Sequence, residues 1–266
     1  MKKLSIPEFG IECSYAVSGS GPNVILIHGL CDSGQAWATH AALLSEKYTV
    51  LVPDLPGFGQ SQPFADGNFA LERMQQAVFA MADAEAMQHF SVVGHSMGGY
   101  TAMAMLEEQP QRVDSVCLFH STSHGDTDEK KNGRDRTIRV LRKNRDLFFR
   151  EVFKNLFNAE RLSQFMPVVN DMYRASAGIE TETVAGTLLA LRDRKDRYEI
   201  LKAYRGPVSY FIGRHDNVFD AQGLIGEAES LGVDYHVSEI SGHMGFYEDP
   251  EVVGEYLFRF LGRTVH

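Results

Sequence analysis

Cysteine is scarce in this chain: Cys13, Cys31 and Cys117 are its only three, scattered over 266 residues. An odd, dispersed set builds no disulfide framework and lacks the close spacing of a zinc site. A reducing compartment is the expectation that follows. Long apolar runs are missing too. No stretch approaches the ~20 residues that a membrane-spanning helix needs. Lys2 and Lys3 lead into no apolar segment of the kind a secretory signal carries. The expected protein is therefore soluble and cytoplasmic, with no membrane partner. An excess of positive charge is also absent, the formal net charge being −9. A phosphate-backbone binder requires a basic face, so nucleic acid is not an expected partner. With 44% apolar and 23% charged residues the balance is that of an ordinary globular chain. Its length allows one large domain or a domain with an insertion.

The patterning that is present alternates. Short strands are expected over residues 3–7 and 11–17, broken by Phe9-Gly10 and ended by the turn residues 18–22. Residues 24–27 form a continuous apolar run, as in a strand buried on both faces of a parallel sheet. Asp32-Ser33-Gly34 offers cap chemistry for a helix over 35–46. Strand 48–52, helix 69–87, strand 90–93, helix 97–109 and strand 113–119 continue the rhythm. Strand and helix taking turns imply a mostly parallel sheet with helices on both faces. From 124 to 205 the rhythm stops. Apolar residues such as Ile138, Leu141, Phe149, Phe153 and Leu188 fall at helical spacing, which predicts an inserted helical subdomain. The alternation resumes with strand 208–212, helix 220–231, strand 233–239 and helix 250–261. The division is thus a core of residues 1–123 and 206–266 around an insert of 124–205.

The sharpest motif is Gly94-His95-Ser96-Met97-Gly98, a G-x-S-x-G sequence lying directly after a buried strand and before a helix. A serine on so tight a turn is forced outward at the carboxyl end of the sheet. The following helix directs its positive end at the charge that develops in acyl transfer.

With His28-Gly29-Leu30, residues 53–61 (PDLPGFGQS), Gly213-Arg214-His215-Asp216 and Ser241-Gly242-His243, the chain resembles the α/β-hydrolase superfamily over nearly its whole length. The nearest subgroup in resemblance is capped carboxylesterases of the pimeloyl-carrier-protein methyl esterase kind. The fold implied is an eight-stranded, mostly parallel sheet flanked by helices, with the insert as a cap. The order Ser, acid, His fits that fold. Ser96 is then the nucleophile and His243 the general base. Asp216 is the favoured acid to orient the imidazole, with Asp220 and Asp126 as rivals. The oxyanion hole draws on the Met97 backbone N–H and, by the resemblance, on that of Leu30. His95 reads as packing and His28 as a brace between loops. His120 and His124, at a strand end and the start of the insert, are expected at the pocket. His40, His89, His236 and His266 read as solvated or core histidines. Asp54, Gly57 and Gly59 read as structural.

No metal or organic cofactor is implied. Hydrolysis of a small carboxylic ester or thioester leads, with a preference for short or medium acyl groups under a cap that restricts the pocket. Carbon–carbon hydrolysis, perhydrolysis or amide cleavage could run on the same residues. The carboxylate-nucleophile dehalogenases and epoxide hydrolases are disfavoured by Ser96. An aminopeptidase is less favoured, because Met97 stands where proline iminopeptidases carry a tryptophan. A slow-turnover ligand receptor is the alternative from another class. Charged runs such as 128–131 and 192–197 read as solvated faces. A basic cap that receives an acidic carrier protein is a further expectation.

Overall fold

The apolar runs of the sequence become the middle of one eight-stranded sheet. The computed structural model describes residues 1–263; His266 lies outside the described residues. The strands are β1 (Lys2–Ile6), β2 (Ile11–Ser18), β3 (Asn23–Ile27), β4 (Thr49–Pro53), β5 (Phe90–His95), β6 (Val113–Phe119), β7 (Val208–Gly213) and β8 (Asp234–Ser238). Their spatial order is β1-β2-β4-β3-β5-β6-β7-β8. β1 pairs with β2, and β2 with β4, antiparallel; the other pairs are parallel. Every residue of β5 and β7 is buried, as central strands covered on both faces require.

Outside the insert, the helices are α1 (Ala38–Leu44), α2 (Leu71–Ala84) and α3 (Met97–Glu108), then, near the C-terminus, α9 (Ala221–Leu231), α10 (Gly245–Glu248) and α11 (Pro250–Leu261). The helix expected over 35–46 divides: a 3₁₀ turn at Gly34–Trp37, capped by the Ser33 side chain, precedes α1. That tighter turn buries Trp37 against Phe119 and Phe246, both with ring centroids 5.1 Å away.

Between β6 and β7 the described chain forms helices only: α4 (Asp128–Lys143), α5 (Arg145–Asn155), α6 (Leu162–Ala175), α7 (Thr181–Arg192) and α8 (Tyr198–Ala203). α4 is written into its ends. Thr127 accepts from the Lys130 N–H, acidic residues fill the first turn, and Arg142 and Lys143 sit in the last. Asn144 then caps α5.

Both ends of this insert are pinned by buried polar groups. On entry, Glu227 of α9 accepts hydrogen bonds from the Ser123 N–H (2.8 Å) and hydroxyl (2.6 Å), from Tyr210 (2.8 Å) and from Thr122. On exit, the run 192–197 departs from the solvated face expected of it. Arg194 is buried and pairs with Asp126 at 2.7 Å. Arg197 is 2% exposed and bonds Glu107 (2.9 Å) and Glu72 (2.7 Å), tying the insert to α3 and α2. Arg192 pairs with Asp135 and Asp193. Arg194 and Arg197 find their carboxylates 68 or more residues away in sequence, which local patterning does not reveal. No described helix is long and apolar enough to cross a membrane.

Candidate active site

Ser96 sits at the junction of β5 and α3 with φ +52° and ψ −113°, outside the ordinary regions for an L-residue. Such backbone strain costs of the order of 1–3 kcal/mol and persists only where the surroundings enforce it. Here they do: a Cβ on Gly94 would lie 2.3 Å from the Gly98 carbonyl oxygen, and one on Gly98 would lie 2.4 Å from that of Ile27. Glycine is therefore required on both sides of the turn. The Ser96 N–H donates to Phe119 O (3.0 Å), and its carbonyl accepts from the Ser121 hydroxyl (2.8 Å). With the backbone held in this way, the side chain opens on a cavity of about 940 Å³ that His243 also lines. The Ser96 hydroxyl makes no hydrogen bond to another described residue in this resting arrangement, as is frequent without a substrate.

Asp216 and His243 are brought together. The His243 Nδ1–H donates to Asp216 Oδ2 at 2.8 Å, leaving Nε2 as the basic nitrogen. Asp216 Oδ1 accepts from the N–H groups of Val218 (2.7 Å) and Phe219 (3.0 Å). Burial by itself would raise this carboxyl. The charge of His243, its hydrogen bond and the nearby His120 ring outweigh it and hold Asp216 far below the usual carboxylate range. The rival acids have other work. Asp220 caps α9 through Gln222 and Gly223, and Asp126 is occupied by Arg194 and Arg134.

The loop Gly29-Leu30 lies beside the serine, where a Cβ on Gly29 would be 3.4 Å from Ser96 Cβ. Neither Leu30 nor Met97 donates its N–H to another described residue, and Met97 is the first residue of α3, whose N–H has no intrahelical acceptor. Both N–H groups are thus without an acceptor among the described residues. His28 is buried and neutral: its Nδ1–H donates to Gly29 O (2.8 Å), and Nε2 accepts from the Leu55 N–H (2.9 Å). Burial lowers its pKa. It braces the loop, as expected. His95 is buried as well, and burial holds it well below the ordinary histidine value. Beyond packing, its Nε2–H donates to the His243 carbonyl at 3.0 Å.

Two expectations fail. His120 does not line the cavity; its ring is fully buried behind Asp216, because φ +46° turns it inward. His124 points to solvent, stacked on Tyr198 at 4.8 Å and paired with Asp196 at 3.0 Å.

The insert supplies the outer wall. Phe148, Val152, Leu156, Phe157, Leu162 and Leu188 line the cavity, together with Arg134 of α4 and, from the core, Asp32. Asp32 Oδ2 has no hydrogen-bond partner among the described residues, and burial pushes this carboxyl up to about 7. The insert also grips the acid and base loops. The His243 N–H donates to Leu156 O (2.7 Å), and Asn217 Nδ2 reaches Asn155 O (3.2 Å). Glu248 accepts from the N–H groups of Asn158 and Gly242, both at 2.8 Å, and of Met244. A Cβ on Gly242 would lie 2.5 Å from Asn158 N, so that close approach needs glycine. Glu248 and Asn158 escape motif reasoning, since the only signal for them is a contact over 90 residues of sequence.

Ligand atoms of His120, Asp216 and His243 lie within 4.8 Å of one another. His243 Nδ1 and His120 Nδ1 lie 2.8 and 3.3 Å from Asp216 Oδ2.

Known proteins repeat this framework. The chain aligns 99% of its length with a thermophilic esterase from Thermogutta terrifontis, solved with malate bound, at TM-score 0.90 and 24% identity over 98% of that chain. It also aligns with an enol-lactonase from Burkholderia xenovorans at TM-score 0.86 and 21% identity, covering 98% of this chain and 100% of the other. In sequence, a 2-hydroxymuconate semialdehyde hydrolase of Pseudomonas putida is 33% identical over 105 residues, 39% of this chain and 37% of that protein. An acetyltransferase component of the acetoin cleaving system of Cupriavidus necator is 39% identical over 118 residues, 44% of this chain and 31% of that protein. The matched stretch spans about a third of the length of such curated relatives. A family model described as alpha/beta hydrolase fold matches residues 22–250, most of the chain and all of the elements that carry the site. By sheet order, serine turn and family match together, this chain belongs to the α/β-hydrolase family.

Proposed function

We propose that the protein is a serine hydrolase that cleaves a small carboxylic ester or thioester through an acyl-enzyme. Ser96 Oγ attacks the carbonyl while His243 Nε2 takes its proton. Asp216 keeps the imidazole in the Nδ1–H tautomer and stabilises the imidazolium. The Leu30 and Met97 N–H groups receive the oxyanion. His243 then protonates the departing alcohol or thiol, and water, activated by the same base, releases the acid and restores Ser96.

The observation that carries this reading is that His243, held by Asp216, lines the same cavity as a serine held at positive φ. A volume of about 940 Å³ is roomy for a small-molecule site. The apolar wall of α5 and α6 therefore suits medium acyl groups better than acetyl. A second reading, hydrolysis of a carbon–carbon bond next to a carbonyl on the same residues, is favoured by the names of partial relatives.

A series of p-nitrophenyl esters of increasing acyl length, run beside a vinylogous 1,5-diketone, separates the two. The ester reading expects multiple turnover peaking at medium length, and a fall of ~10⁴ or more for Ser96→Ala. Turnover of the diketone alone supports the second reading. Ester turnover undiminished in Ser96→Ala refutes both.

A further inference from the structure

We propose that His120 is a positioning residue of the relay, a second histidine that holds the Asp216 carboxylate through its Nδ1–H and tempers its pull on His243. This inference rests on the reading of Asp216 and His243 as acid and base.

The backbone is the first observation. His120 directly follows β6 at φ +46°, one of only four non-glycine residues at positive φ among those described. Its N–H donates to Phe211 O at 2.8 Å, fastening it to the strand that leads to Asp216. That conformation is uncommon outside glycine, asparagine, aspartate and histidine. It brings Nδ1 to 3.3 Å from Asp216 Oδ2, with both side chains wholly buried.

The tautomer is the second. The Gly245 N–H donates to His120 Nε2 at 3.3 Å, so Nε2 is the acceptor and Nδ1 carries the proton. Nδ1 makes no well-aligned hydrogen bond among the described residues, and Asp216 Oδ2, 3.3 Å away, is the acceptor beside it. An N–H left unspent in the interior carries a desolvation cost, which the carboxylate offsets.

The surroundings are the third. The titratable groups facing His120 are Asp216 after β7, His243 after β8 (ring centroids 5.5 Å apart) and His95 at the end of β5 (6.1 Å). Phe119 and Phe211 close the remaining sides. Burial lowers the His120 pKa and keeps the ring neutral. A neutral donor can feed Asp216 without placing a second cation beside His243. The carboxylate then has Val218 and Phe219 on Oδ1, and His243 and His120 on Oδ2. Each added donor draws charge from the anion and weakens its attraction for the imidazolium.

Two substitutions and one measurement on the unaltered protein test this. His120→Asn tolerates the left-handed backbone and can place an amide N–H where Nδ1 stands, whereas His120→Leu removes the donor. In His120→Leu, kcat/KM falls about tenfold to a hundredfold, the loss lies in kcat, and the acidic limb of the kcat/KM profile moves to higher pH. His120→Asn recovers most of the rate and returns the limb. Equal losses in both variants with an unmoved limb would mean that the ring only fills space, and would overturn the proposal. Nitrogen-15 NMR of histidine-labelled protein reads the tautomer directly, whether or not a variant folds. The neutral Nδ1–H form of His120 is expected throughout the pH range of activity; the Nε2–H form overturns the proposal. Persistent turnover in Ser96→Ala would instead sink the underlying reading of the site, a separate result.

Discussion

The sheet and the helical insert meet at one cavity but reach it by different means. The sheet delivers Ser96, Asp216 and His243 on turns at its carboxyl edge, where backbone geometry fixes each position: positive φ at Ser96, glycines that no Cβ can replace, and peptide N–H groups on Asp216. The insert arrives on long side chains. Its exit is held by Arg194 and Arg197, and its cavity face combines apolar side chains such as Phe148, Val152 and Leu188 with polar ones such as Arg134 and Glu151. Under the proposed function this is a division of labour in which the sheet sets the chemistry and the insert sets what reaches it. The segment 155–158 joins the two, bonding the His243 backbone and the Asn217 side chain at once.

That division can be broken at four places. The largest effect belongs to the sheet edge: His243→Ala should lower kcat by ~10⁴ or more, about 5.5 kcal/mol of barrier, with thermal stability little changed. A loss under about tenfold would remove His243 from the chemistry.

Next comes the charge cluster under the insert. Asp126→Ala leaves the buried Arg194 without its carboxylate partner and should cost about 3–5 kcal/mol in urea unfolding. If stability is unchanged, the insert is not held by this pair.

The third effect is a pH dependence of stability. His28, His40, His95 and His120 are buried, and burial lowers the pKa of each. Unfolded, they bind protons below about pH 6.5. The unfolded state then holds more protons than the folded one, so stability falls as pH drops from 7 toward 5, by up to about 1.4 kcal/mol per unit for each neutral ring. Asp216 acts in the same direction, but at lower pH. Its depressed pKa contributes stability above its unfolded value of about 3.9, lost only as pH falls below that. The window between about pH 4 and 6.5 thus belongs to the histidines. Melting temperatures at pH 7.5 and 5.5 should differ clearly, and equal values would contradict the buried neutral rings.

The smallest effect lies in the cavity wall. Leu162→Ala should shift preference toward longer acyl groups by about tenfold, roughly 1–2 kcal/mol, while a short ester is cleaved as before. An equal change for all esters would place Leu162 in the chemistry instead of the pocket.

What could be read in the sequence follows the same boundary. The strand–helix alternation, the serine turn, the order of acid and base loops and the His28 brace were legible because each is dictated locally, by glycine, by buried apolar runs or by chain order. The roles that escaped depend on distant pairs. Arg197 looks like one charge in a mixed run until Glu72 and Glu107 come to it from over 80 residues away. Glu248 gains meaning only beside Asn158 and Gly242. His120 was expected to face the pocket from its place at a strand end; one left-handed residue turned it to the other side of Asp216.

Rapid quenching of the protein with p-nitrophenyl butyrate, followed by intact-mass and peptide analysis, tests the acyl-enzyme most directly. A butyryl group on Ser96 alone, formed within the first turnover and absent from Ser96→Ala, is the expected result. An acyl group on another side chain, or steady ester turnover by Ser96→Ala, would contradict the account.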